Sequence, residues 1–214
     1  MAKEKSKRGA IAFVVFVSLI ALFGSLFLIS NEKFRANLSK EVEHAQKSLH
    51  KKDFDSIEQK TNALFNKVAH DIGVIRWAGA ALLPKEGTED IFLNQMLPQE
   101  MNYRFVNNLQ YTIYQAAFRT QMLWFWFFVM LPIVIAFIVT GYYQWKIKHF
   151  SMQSGSTIAI KLFFSGFITL VSTLLVYMLF PSLGIAGTFI LPALVILAMG
   201  YFAGRAIASF HIDF

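Results

Sequence analysis

Two residue patterns in this chain have the spacing of chemical sites. Glu41-Val42-Glu43-His44 contains one Glu-x-x-His, which places two ligands on one helical face, as in di-iron helical bundles. Such sites need a second copy and further carboxylates, and the sequence supplies neither. His70-Asp71 has no companion Ser or Cys nucleophile in a recognisable arrangement. We therefore expect no catalytic or metal-binding residues, no cofactor and no enzymatic activity, and we expect Glu41 to lie on a solvated helix face.

The composition excludes further classes of chemistry. The chain has no cysteine, which rules out thiol catalysis, disulfides and cysteine-ligated metals. It also has no glycine-rich phosphate loop of either common form. A nucleotide-driven motor is therefore excluded within this chain.

Small and hydroxyl side chains in the apolar segments indicate helix packing. Gly200 and Gly204 form a Gly-x-x-x-Gly pattern that Ala208 extends by one turn. Such a stripe lets another helix approach closely. Another segment carries three hydroxyl side chains suited to interhelical hydrogen bonds: Ser165, Thr169 and Ser172. Two interpretations are open, intramolecular packing of the third and fourth apolar segments against each other or contact with another subunit, and the pattern does not choose between them.

Four long apolar stretches define the architecture, in a chain that is 56% hydrophobic. A stretch of about 20 residues matches a hydrocarbon core about 30 Å thick. Only a helix satisfies its own backbone polar groups there. We predict an all-α integral membrane protein with transmembrane helices at residues 10–30, 122–143, 162–180 and 185–206. Pro132 predicts a kink in the second of them.

The distribution of charge predicts the topology. The net charge of +7 comes mainly from the short segments 1–9 and 144–161, the C-terminal end carries Arg205 against Asp213, and the charges in 31–121 nearly balance. Short basic segments stay in the cytoplasm, and long segments translocate largely regardless of charge. We expect a bacterial inner-membrane protein with both tails and 144–161 in the cytoplasm. Residues 31–121 form a periplasmic helical domain, 181–184 form a periplasmic turn, and no direct nucleic-acid binding is expected.

The periplasmic domain is predicted to contain a helical hairpin. The apolar face of its first helix comprises Phe34, Leu38, Val42, Ala45 and Leu49. No Pro or Gly precedes this face, so we expect the helix to continue from the first span. A second helix, capped by Asp53 or Asp55, runs through Ile57, Leu64, Val68 and Ile72. The stretch from Ile75 to Leu83 is either interfacial or packed on the hairpin, and a helix from Gln99 leads into the second span.

The layout resembles an inner-membrane protein family of integrating conjugative elements and conjugative plasmids, known as a four-span domain of unknown function. The similar residues are Tyr103-Arg104, Tyr114 through Arg119, Leu131-Pro132, Gly141, and Ser154 through Thr157. The resemblance implies association with a conjugative type IV secretion or DNA-transfer apparatus. It supplies no catalytic residues.

Several functions remain open at this stage. The leading interpretation is a non-enzymatic subunit whose helix faces contact lipid and other membrane subunits of a complex, with a homo-oligomer also possible. The alternatives are a transport or channel component and an entry-exclusion or regulatory membrane protein. Transport is disfavoured because no ionisable residue lies near the middle of a predicted span.

Overall fold

The structure, a computed structural model, describes residues 20, 24, 26, 27, 29–82, 99–151, 157–179 and 188–210. Most of the predicted span at 10–30, the turn at 181–184 and most of both tails lie outside the described residues. The described part is helical and contains no β-strand. It divides into two units: unit 1 is Met1–Gln121 with Met178–Phe189, and unit 2 is Met122–Tyr177 with Ile190–Phe214.

Unit 1 contains the predicted helical hairpin. Helix α1 is Asn31–Ser48 and helix α2 is Lys51–Asn66. They run antiparallel, since Phe65 near the end of α2 borders the same groove as Arg35 near the start of α1. The predicted N-cap at Asp53 or Asp55 is wrong. The cap is His50, whose Nδ1 accepts a hydrogen bond from the Lys52 backbone N–H at 3.4 Å.

A π-helical turn at Lys67–Asp71 follows α2 and changes which residues face inward. A π turn contains more residues than an α turn, so it shifts the phase of the buried face. Ala69 is buried there, and Ile72, predicted to be inward, is 67% exposed. Gly73 then adopts φ +77°, a left-handed conformation that glycine tolerates best, before helix α3 at Val74–Leu82.

The prediction that α1 continues a helix from the first apolar stretch is wrong. Leu26 and Phe27 are helical, but the chain bends at Ile29, and Ser30 has φ −59° and ψ 138°, which is not helical. Helix α1 begins only at Asn31. No Pro or Gly is needed for this break, because hydrogen bonds from a distant side chain stabilise it, as described below.

Helix α4 spans Gln99–Phe150, and its residues through Gln121 belong to unit 1. Unit 2 contains the rest of α4 together with α5 at Thr157–Leu179 and α6 at Leu191–Ala208. Among the described residues, α4, α5 and α6 are long and apolar enough to cross a membrane. The all-helical prediction is confirmed for the described residues, and these three helices are compatible with a membrane protein. Helix α6 starts later than predicted, with Pro192 in its first turn, where proline is tolerated.

Candidate functional site

A buried ion pair joins α1 to α4 inside unit 1. Arg119 Nε donates to Glu41 Oε1 at 2.8 Å, and Arg119 Nη2 donates to Glu41 Oε2 at 2.9 Å. The two side chains are 3% and 1% exposed. This two-point geometry satisfies both carboxylate oxygens and is the strong form of the Arg–carboxylate interaction. The prediction that Glu41 is solvated is therefore wrong.

The ion pair and one ring contact earlier in both helices show that α1 and α4 run in the same direction. The rings of Phe34 and Tyr111 stack with centroids 6.0 Å apart. Seven residues after Phe34 on α1, Glu41 pairs with Arg119, which is eight residues after Tyr111 on α4. The contacting residues advance together along both helices. A helix continuing outward from a first span would instead oppose one that returns to the membrane. The bend at Ile29 and Ser30 therefore gives α1 a direction, parallel to α4, that the sequence did not predict.

Asn108 stabilises that bend. Its Nδ2 group donates hydrogen bonds to the backbone carbonyls of Leu26 at 3.0 Å and Ile29 at 2.9 Å. The last carbonyls of a helix have no partner within the helix, so a buried helix end needs such donors. Asn108 is fully buried. One amide side chain thus satisfies the helix end and ties it to α4.

The polar groups near Glu41 form no metal site in the part of the chain that the structure describes. His44 is only half-buried, while His50 and His70 are exposed. Glu43 is exposed and accepts a hydrogen bond from Lys47 at 2.6 Å, which lowers the pKa of the Glu43 carboxyl. Since Glu41 is engaged by Arg119, the Glu-x-x-His pattern serves helix contacts in this fold.

An open groove of about 430 Å³ lies between the hairpin and α4 in unit 1. Its lining is mostly apolar in exposed area, with no cluster of groups arranged for catalysis among the described residues. The lining residues are Arg35, Leu38, Ser39, Val42, Glu43, Gln46, Phe65, Gln110, Tyr111 and Tyr114.

In unit 2, α4 and α6 approach each other at the predicted glycines. A Cβ atom added to Gly204 would collide with the backbone carbonyl oxygen of Phe137, and one added to Gly141 would collide with that of Gly204. A Cβ on Gly200 would lie 3.0 Å from Val134 Cγ2. The contacted helix is thus α4 of the same chain. Helix α6 runs parallel to α4, since the contacts advance together along both helices from Gly200 and Val134 to Gly204 and Phe137.

The other predicted packing residues have different surroundings. Ala208 is buried, and its backbone carbonyl accepts a hydrogen bond from Lys148 Nζ at 3.1 Å. The hydroxyls of Thr169 and Ser172 donate to backbone carbonyls of their own helix, those of Ser165 and Ile168. Helix α5 instead meets α6 through Gly166, where an added Cβ would lie 2.5 Å from Phe202 Cε1. Pro132 lies inside α4, which continues through it.

Comparison with known protein families supplies the biological context. The sequence matches the profile of the DtrJ-like family, described as IncC plasmid conjugative DNA transfer protein DtrJ-like, over residues 27–211. The chain belongs to the DtrJ-like family. Membership indicates a role in conjugative DNA transfer and confirms the resemblance to conjugative-plasmid proteins. Searches among curated proteins and solved structures return no match for this DtrJ-like chain.

Sequence reasoning missed Glu41, Arg119 and Asn108, although the positions carried a signal. The buried face of α1 is Phe34, Leu38, Glu41 and Ala45, whose spacings of four, three and four are helical. The apolar pattern alone places Val42 on this face in place of Glu41. When a charged residue fits the helical spacing of an apolar stripe equally well as the apolar residue next to it, the charged residue is a candidate for a buried ion pair.

Proposed function

We propose that this DtrJ-like protein is a non-enzymatic membrane subunit of a conjugative DNA-transfer apparatus of the type IV secretion class, acting through helix contacts with partner subunits. The buried Glu41–Arg119 pair is the observation that carries the proposal. Each oxygen of this carboxylate accepts a hydrogen bond from the guanidinium. A group held in this way positions α1 on α4 and is poorly placed to exchange protons with a substrate.

The packing of unit 2 supports the same function. Glycine-mediated approach of α6 to α4 suits a fixed contact, because a helix interface this close leaves no room for a side-chain-lined path. The charged side chains in α5 and α6, Lys161 and Arg205, lie near helix ends. Arg205 stacks over the Phe163 ring at 5.6 Å. These features favour a structural subunit over a transporter.

For the location, we propose the bacterial inner membrane, with α4, α5 and α6 as spans and unit 1 on the periplasmic side. We propose that the apolar residues 10–30 act as the signal anchor expected from the sequence and direct unit 1 across the inner membrane. Both tails then remain in the cytoplasm. Support comes from the basic segments that flank the apolar stretches. Reporter fusions test the arrangement: Gly87 should report periplasm, and Ser154 and Phe214 should report cytoplasm.

The experiment that tests the function is complementation of a deletion strain in a mating assay. Variants Glu41→Ala and Arg119→Ala should reduce transfer, whereas His44→Ala and His70→Ala should transfer like the wild type at matched membrane levels. A tagged wild-type protein extracted in mild detergent should co-purify other transfer subunits, and Arg119→Ala should retain fewer. Loss of transfer in the histidine variants, with normal transfer in the other two, would contradict the proposal.

A further inference from the structure

One end of unit 2 brings basic side chains together without acidic ones. The sequence of this unit has a single Asp or Glu, Asp213, which lies outside the described residues, against four basic residues: Lys146, Lys148, Lys161 and Arg205. Arg205, in the last turn of α6, lies over the Phe163 ring near the start of α5, with its guanidinium carbon 5.6 Å from the ring centroid. Arg205 has no carboxylate partner among the described residues.

Two of these cations lie on the seam between α4 and α6. Arg205 Nη1 donates a long hydrogen bond to Gln144 Oε1 at 3.5 Å, and Lys148 Nζ donates to the Ala208 backbone carbonyl at 3.1 Å. Gln144 and Lys148 are four residues apart on the same side of α4, about 6 Å or one helical turn. These contacts hold the guanidinium and the ammonium group about one turn apart. We call Gln144, Lys148, Arg205 and the Ala208 carbonyl the cationic seam.

The cationic seam has the chemistry of an anion site. Both of its hydrogen bonds go to neutral oxygens, so neither positive charge is compensated by a carboxylate among the described residues. An anion in contact with both groups lowers their mutual repulsion. Arg205 is exposed and keeps further N–H donors in a planar fork that matches phosphate oxygens, while Lys148 is half-buried against α6. The seam therefore fits a phosphate group.

Aromatic side chains next to the cationic seam favour a lipid as the carrier of that phosphate. Tyr201 precedes Arg205 by about one turn on α6, is 46% exposed, and has its ring 5.9 Å from that of Phe137 on α4, centroid to centroid. Tyr142 and Tyr143 are exposed at the same end of α4. Such amphipathic rings are typical of the level at which lipid headgroups meet hydrocarbon. Helices α4 and α6 are also long and apolar enough to cross a membrane, and free phosphate or a DNA duplex offers no acyl chain to cover these rings.

We propose that the cationic seam binds the phosphate of an anionic phospholipid, with an acyl chain of that lipid along Tyr201. Basic pockets between transmembrane helices bind anionic headgroups in this way. A zwitterionic lipid should bind more weakly, because its ammonium group is repelled by Arg205 and Lys148 and meets no carboxylate in the described part of unit 2. The proposal rests on the membrane location proposed above, and it adds a lipid selectivity that contact with partner subunits does not require.

Native mass spectrometry of the full-length protein in mild detergent measures this binding directly. Delipidated protein is titrated with phosphatidylglycerol or with phosphatidylethanolamine of identical acyl chains, and each bound lipid adds its mass. The wild type should bind phosphatidylglycerol more tightly. Arg205→Gln and Lys148→Gln should each weaken phosphatidylglycerol binding about fivefold and should narrow the difference between the two lipids. Lys146→Gln makes the same charge change at an exposed position of α4 outside the seam and should bind like the wild type.

The outcomes separate this proposal from its alternatives. Equal affinity of the wild type for the two lipids would overturn it, as would unchanged phosphatidylglycerol binding in Arg205→Gln; because Arg205 is exposed, that variant should keep the wild-type unfolding temperature. Displacement of the bound lipid by inorganic phosphate or by a DNA duplex would also overturn it, since the seam would then serve soluble phosphates. Carbonate extraction of cell membranes tests the location separately. Release of the protein would contradict the membrane location, whereas a retained protein without lipid preference would contradict only the lipid site.

Discussion

Removing one partner of the buried ion pair should loosen α1 from α4. In Glu41→Ala, the Arg119 side chain, which is 3% exposed with the pair intact, loses its carboxylate counter-ion. Breaking a buried pair in this way costs about 3–5 kcal/mol. If α1 opens locally, its amide protection should fall by roughly 100- to 4,000-fold, since each 1.4 kcal/mol is a factor of about ten. Hydrogen exchange followed by mass spectrometry on full-length protein in nanodiscs measures this for peptides within Asn31–Ser48.

Two further variants make that measurement specific. Glu43→Ala removes an exposed carboxylate two residues along α1 that pairs with Lys47, and it should leave the exchange of α1 unchanged. Glu41→Leu combined with Arg119→Leu replaces both charges by apolar side chains and should restore most of the protection, because well-packed apolar pairs often equal buried ion pairs. Unchanged protection in Glu41→Ala would refute the reasoning, as would a double variant less protected than either single one.

Three other predictions follow from the remaining contacts. Asn108→Leu should leave the carbonyls of Leu26 and Ile29 without the two amide donors, at a cost of about 1–3 kcal/mol. Limited proteolysis should then cut faster near Ser30. The control Thr112→Val, which removes a hydroxyl that donates to the Asn108 carbonyl within α4, should not change the cutting rate. Gly204→Ala should lower the thermal unfolding temperature in detergent, because the added Cβ meets the Phe137 carbonyl and overpacking costs about 1–3 kcal/mol. The control Gly24→Ala, whose Cβ has nothing within 4 Å, should leave the unfolding temperature unchanged. Lys47→Gln should raise the pKa of Glu43 toward its ordinary value in an NMR titration, without changing stability, because the Glu43 carboxyl is exposed.

The long apolar helices could be predicted from the sequence because lipid imposes one strong rule. Long uncharged stretches must be helical, and the apolar residues of α4, α5 and α6 met that condition. The glycines of α6 were also visible as a small-residue stripe. Their partner was not, because Val134, Phe137 and Gly141 have no pattern that marks them as one side of an interface.

Unit 1 was harder to predict, because its decisive contacts join residues far apart in the sequence. Asn108 and Leu26 are separated by 82 positions, and nothing local at Ile29 or Ser30 signals the bend that Asn108 stabilises. The direction of α1 depends on that bend.

A charge swap in the mating assay tests the central claim most directly, namely that Glu41 and Arg119 act by holding two helices together. Glu41→Arg and Arg119→Glu place like charges together in a buried site, and each should abolish most of the transfer at matched membrane levels. The double variant restores opposite charges with positions exchanged and should recover part of it. A chemical role for the carboxylate at position 41 would not survive the exchange. Normal transfer in either single variant, or no recovery in a double variant present at wild-type levels, would contradict the account.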